Sequence, residues 1–302
     1  MKPIVLSTAA GALLAISAWA QAVRPGYSAT HTEDDRRGFD RNPLVYVLTN
    51  NPQTGAAGFG AAHLGSGAFV QIGPGLPSDL GHALAPAWDG SLLSMAFSGK
   101  LYSIDPRTGV ASVVGETGLG DCTTPASPCG PNSAVTLGRL DDRFYALDFS
   151  QNLYSLDPAT GATKLIGPTG MPAITSVPGS IASDGELNLY DESLFSFRGK
   201  LYANVDSGQL NLSTGSETPV IPAALYEIDT RTGQATTIAP TDLGLLTIVN
   251  VNDVVYAFDS INDRFVTLDP ATGRTQAVSA LDPAAGLVCG ATPARPKRRE
   301  RQ

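Results

Sequence analysis

From residue 42 to about residue 292, apolar and polar positions alternate in short runs, and the runs are cut by Gly, Pro, Asp and Thr. A period of two puts one side-chain face in a core and the other in water, so these runs predict strands. No stretch keeps the spacing of an amphipathic helix. Four runs share one phrase: Leu-Tyr-Ser-Ile-Asp-Pro-Arg-Thr-Gly at 101–109, Leu-Tyr-Ser-Leu-Asp-Pro-Ala-Thr-Gly at 153–161, Leu-Tyr-Glu-Ile-Asp-Thr-Arg-Thr-Gly at 225–233 and Phe-Val-Thr-Leu-Asp-Pro-Ala-Thr-Gly at 265–273. Each is a hairpin signal. Asp suits the first position of a type I turn, Pro pre-sets the next φ, and Gly takes the left-handed position that follows.

A second phrase precedes each hairpin: Val45-Tyr46-Val47-Leu48, Ser94-Met95-Ala96-Phe97, Phe144-Tyr145-Ala146-Leu147, Leu201-Tyr202-Ala203-Asn204 and Val255-Tyr256-Ala257-Phe258, with starts 49, 50, 57 and 54 residues apart. Repeats of this length, each built of short strands, predict an all-β β-propeller of five four-stranded blades. A sixth blade would need a further degenerate copy within 47–75 or 171–222. In each blade the second phrase is strand B, the Leu-Tyr phrase is strand C, and the segment after Thr-Gly is strand D. Innermost strands A fall at 83–88, 133–138, 187–195, 244–251 and 286–291. The chain thus begins at a strand B and ends at an orphan strand A, and pairing the two in one blade would close the ring and hide its edges.

The phrases resemble those of secreted bacterial β-propeller repeat proteins, and Val45-Tyr46-Val47-Leu48-Thr49-Asn50-Asn51-Pro52 is similar to the opening of YVTN/lactonase-like propellers. That resemblance implies the architecture alone, because activities differ among such proteins. The hairpins carry neither the Trp that ends quinoprotein blades nor Trp-Asp repeats.

Residues 1–20 read as a secretory signal peptide: Lys2, then an apolar stretch, then the small-x-small site Ala18-Trp19-Ala20. They predict a secreted or periplasmic protein, and no later segment is apolar enough to span a membrane. Residues 21–41 are a polar lead-in, 42–292 the propeller, and 293–302 a basic tail in which Arg295, Lys297, Arg298, Arg299 and Arg301 outnumber Glu300. The net charge is −8 even with that tail, so the body is acidic and nucleic acid is not its expected partner. Of three cysteines, Cys122 and Cys129 are close enough for a local disulfide in an oxidising compartment, which leaves Cys289 single and, among apolar neighbours, buried.

In a four-stranded blade the A–B and C–D turns lie at one end and the B–C and D–A connections at the other. Here the first set is tight and the second holds every long segment: 48–61, 73–82, 116–132, 168–186 and 206–222. Recognition is therefore expected on the long-loop face. Its carboxylates include Asp121, Asp148, Asp184, Glu186, Asp206, Glu217, Asp259 and Asp263. Of these, Asp148, Asp184, Glu186, Asp206, Asp259 and Asp263 are the candidate binding residues. Asp148, Asp206 and Asp259 follow strand B, where a carboxylate also satisfies backbone N–H groups at a strand end. No cofactor motif is present. The acids are numerous enough to suggest calcium, which takes six to eight oxygen ligands, although nothing matches an EF-hand loop.

A hydrolase would place paired carboxylates on several inner strands. Only one inner strand carries acids, Asp191 and Glu192, and neighbours on a strand face opposite ways. The sequence therefore favours a monomeric, non-enzymatic module that binds a protein, peptide or cell-surface polymer. A lactonase- or glycosidase-type hydrolase using the central channel, and a structural envelope or matrix protein, are the rival readings.

Overall fold

The computed structural model describes residues 43–50, 56–77, 83–96, 98–120, 134–173, 186–211, 214, 217–242 and 244–294. The first strands are β1 (Leu44–Asn50), β2 (Ala57–His63) and β3 (Phe69–Gln71). The second blade is β4 (Ala85–Pro86), β5 (Leu92–Met95), β6 (Lys100–Ile104) and β7 (Ala111–Glu116). The third is β8 (Ala134–Leu140), β9 (Arg143–Asp148), β10 (Asn152–Leu156) and β11 (Thr163–Pro168). The fourth is β12 (Glu186–Phe197), β13 (Lys200–Asn211), β14 (Glu217–Ile228) and β15 (Ala235–Pro240), and the fifth is β16 (Leu245–Val251), β17 (Val254–Asp259), β18 (Arg264–Leu268) and β19 (Thr275–Ala280). A 3-10 turn at Pro283–Ala285 leads into β20 (Leu287–Pro293), which pairs antiparallel with β1 to complete the first blade. The fold is a five-bladed β-propeller closed by strands from both ends of the chain.

Two sequence assignments are corrected. The second-blade strand B is Leu92–Met95, two residues earlier than the phrase Ser94–Phe97, because Ser94 pairs with Tyr102 just as Ala146 pairs with Tyr154. Ala96 then closes the turn by donating its N–H to the Lys100 carbonyl. Within the segment 206–222, residues 206–211 and 217–222 are strand rather than loop. β13 and β14 continue through much of it as a paired hairpin, and β12 extends beside them.

Core residues gather in five clusters among the described residues, one in each seam between neighbouring blades. The repeat tyrosines enter these seams: Tyr102 packs toward the first blade, Tyr154 toward the second and Tyr226 toward the third. At the rim the outer strands run end to start. Thr163 Oγ1 donates to the Thr117 carbonyl at 2.6 Å, and Ser279 Oγ to that of Leu64 at 2.6 Å. Glycines make the approach close enough. A Cβ on Gly115 would stand 2.0 Å from the Thr160 carbonyl oxygen, and one on Gly109 would stand 2.4 Å from that of Ile72. The Ile-Gly strand end of one blade and the Thr-Gly turn of the next are thus two halves of one backbone contact.

Candidate functional site

At the channel, each inner strand has a free edge whose N–H groups need acceptors. Side chains of the preceding blade supply them. Thr136 Oγ1 accepts from Leu194 N at 3.2 Å, and Ser193 Oγ accepts from Ile248 N at 2.9 Å. Asn250 Nδ2 donates across the same kind of seam to the Ser196 carbonyl at 3.1 Å, and Arg139 Nη1 to that of Pro86 at 2.6 Å. Cys289 is buried and outside any disulfide; burial first, then the nearby Asp191 charge, pushes its thiol up to about 12. The polar groups on these inner strands are therefore largely engaged in joining blades.

On the opposite-facing carboxylates the structure is specific. Asp148, fully buried, accepts from Asn152 N at 2.8 Å, Asn152 Nδ2 at 3.0 Å and Tyr154 Oη at 2.9 Å. Burial and that hydrogen bond push the Tyr154 phenol up to about 12. Asp259 holds its own B–C turn in the same way, accepting from Asn262 N at 3.0 Å and Arg264 Nε at 2.8 Å. Asp206, also buried, accepts from Gly244 N at 3.2 Å and so pins the D–A connection into the fifth blade. Asp263 sits in the B–C turn with φ 47°, and its carbonyl accepts from Leu281 N at 2.9 Å. Glu186 begins β12 opposite Asn211. Asp121, Asp184, Cys122 and Cys129 lie outside the described residues, as do the signal peptide, the whole lead-in and the tail from residue 295 onward.

The candidate residues are thus spread over three blades rather than gathered at one point. What the sequence reading did not connect is a buried group in the seam between the third and fourth blades. Glu192 on β12 accepts from Gln151 Nε2 at 3.0 Å and from the Tyr190 hydroxyl, with Asp148 close by. Burial, followed by the Asp148 charge and offset in part by the Gln151 bond, raises its carboxyl to about 8. The signal that could have found it is Tyr190-x-Glu192 on one face of an inner strand, but Gln151 lies 41 residues away and gave no cue. Two acids do therefore meet here, yet Asp148 and Glu192 are 0% and 3% exposed and closed over by their own partners. Among the described residues, no three of His, Cys, Asp and Glu form a group that could hold a metal ion. Nor, among the described residues, is any helix long and apolar enough to cross a membrane.

Among the described residues, the long-loop face carries one large feature. β12, β13 and β14 are 12 residues each, against 7, 6 and 5 for their counterparts β16, β17 and β18. The additional five positions of β12, with six in β13, raise this blade by about 17 Å above its neighbours, at the rise of an extended strand. The outer strand of this wing carries Pro219 and Pro222, which cannot donate to a further strand, and exposes Val220. On the opposite face, a polar groove of about 420 Å³ lies between Leu140, Lys200 and the 229–234 turn, with the Lys200–Glu227 ion pair (2.8 Å) beside it.

No protein-family model matches the chain, and neither does any curated protein. Solved structures similar in outline include a nidogen/laminin complex chain (11% identity, 84% of this chain and 98% of that one, TM-score 0.48). Others are a streptogramin B lyase (12%, 71% and 74%, 0.36) and a putative 6-phosphogluconolactonase from Bacteroides uniformis (11%, 80% and 98%, 0.35). At these values they carry no argument about activity, and the propeller assignment rests on the strand pairing.

Proposed function

We propose that this chain is an exported, non-enzymatic binding module that engages a protein, peptide or cell-surface polymer through its long-loop face, with the fourth-blade wing as the principal contact. The observation that carries this reading is the wing itself. A three-stranded sheet is extended by about 17 Å on the face where the variable connections lie, while the equivalent strands of the other blades stop short. The inner strands add support. Thr136, Ser193 and the Asn250 Nδ2 group bond to a neighbouring blade, and the two acids that meet are sealed from solvent.

The test replaces 207–222 by the four-residue turn 260–263 of the fifth blade. Wild type and variant are then compared for co-sedimentation with the isolated cell envelope of the producing organism. The expected result is binding by the wild type that falls at least tenfold in the variant, with thermal unfolding still cooperative. Undiminished binding by the folded variant would remove the wing from the account.

A further inference from the structure

The Glu192 group contains two polar atoms that the rest of the fold leaves unmatched. Gln151 Nε2 donates to Glu192 Oε2, but Glu192 Oε1 and Gln151 Oε1 are both buried without a hydrogen-bond partner among the described residues. Both are acceptors when the carboxyl is ionised, and each buried orphan costs about 1–3 kcal/mol. They belong to the same two side chains, so a single proton on Oε1 would satisfy both by turning that oxygen into a donor toward the amide carbonyl. We propose that Glu192 is held as a neutral carboxylic acid in a reciprocal two-hydrogen-bond ring with the Gln151 amide, forming a proton-dependent latch across the seam between the third and fourth blades.

The surroundings agree on the neutral form. From β9, Asp148 faces the group with oxygens that accept from Asn152 and Tyr154. From β12 itself comes the Tyr190 hydroxyl, a donor, with its ring edge-on to Phe149 at 5.5 Å. Among the described residues no lysine, arginine or histidine bonds to any member of this group, so an ionised Glu192 would be a second buried negative charge without a cation. Asp148 already accepts three hydrogen bonds, and the oxygens of Glu192, Gln151 and Asp148 together fall short of the six to eight that a hard divalent ion takes.

The residue type at this turn bears on the latch as well. Gln151 sits at φ 62°, in the left-handed region, where the matching turn position of the second blade is Gly99 (φ 85°) and that of the fifth is Asp263 (φ 47°). Gly and Asp tolerate that conformation better than Gln. A glutamine there is accounted for by what its side chain reaches.

The sign of the pH dependence follows. The carboxyl is raised in the folded protein from its ordinary value to about 8, so the folded state retains a proton that the unfolded chain gives up. Stability is therefore lost as pH rises from the ordinary glutamate range to about 8, and is flat beyond. Glu192→Gln replaces the acid by an amide that makes the same two bonds at every pH. The ratio of the variant's folding constant to that of wild type is expected to rise about tenfold per pH unit across that window. Independently of any variant, a ¹³C-carboxyl NMR titration of glutamate-labelled wild-type protein should show one resonance with its midpoint near 8, well apart from the rest. A wild-type protein in which every glutamate carboxyl titrates in the ordinary range would overturn the latch. So would a wild-type melt raised by calcium but left unmoved in Glu192→Gln, because the orphan oxygens would then be cation ligands. This inference does not depend on the proposed binding role.

Discussion

Asp148 and Asp259 stand at the same place in their blades, and each spends its carboxylate on the turn that follows it. A residue type that repeats with the fold is more economically explained by the fold than by a ligand, and the two sets of hydrogen bonds bear on that choice. Asp148→Ala would leave Asn152 N and the Tyr154 hydroxyl without their acceptor inside a seam. Chemical denaturation should show a loss of about 2–4 kcal/mol. Asp148→Asn, which keeps an acceptor, should lose clearly less. Glu192 shows where residue-level reading stops. Its neighbour relation with Asp191 is visible in the sequence, but its burial and its Gln151 partner depend on how two blades dock.

At the level of the element, the repeated phrase predicts more than a hairpin. The Asp of each turn accepts from the N–H two residues on, at 2.9 Å in all four copies. The closing Gly then meets the strand end of the preceding blade. Gly115 lies outside the left-handed region, so Gly115→Ala tests that contact with little backbone strain of its own, its added Cβ standing 2.0 Å from a carbonyl oxygen. It should destabilise by about 3 kcal/mol or more. Gly118→Ala, with φ +71° but open space around it, should cost only the left-handed penalty of about 1–2 kcal/mol. Comparing the two midpoints separates crowding from conformation. Strand identity was legible because the phrase recurs; the second-blade register and the wing were not. Ser94–Phe97 matched the phrase by composition although pairing with Tyr102 sets the strand two residues earlier. The stretch 206–222 is rich in Ser, Gly, Asn and Pro, which are turn-forming residues, and only pairing across β12, β13 and β14 makes it a sheet.

For the molecule as a whole, the orphan strand A at the end of the chain anticipated the closure while the five repeated phrases gave the blade number, and β20 paired with β1 supplies that closure. The face on which function resides is a different kind of question, since loop length says where variation is allowed and not what is bound. Amide hydrogen exchange, read by mass spectrometry on residues 42–294 with and without the isolated envelope fraction, addresses it most directly. The account predicts added protection concentrated in 186–190 and 207–223, with the inner strands β8 and β16 unchanged. Protection confined to the inner strands, or to the polar groove beside Lys200 and Glu227, would contradict it.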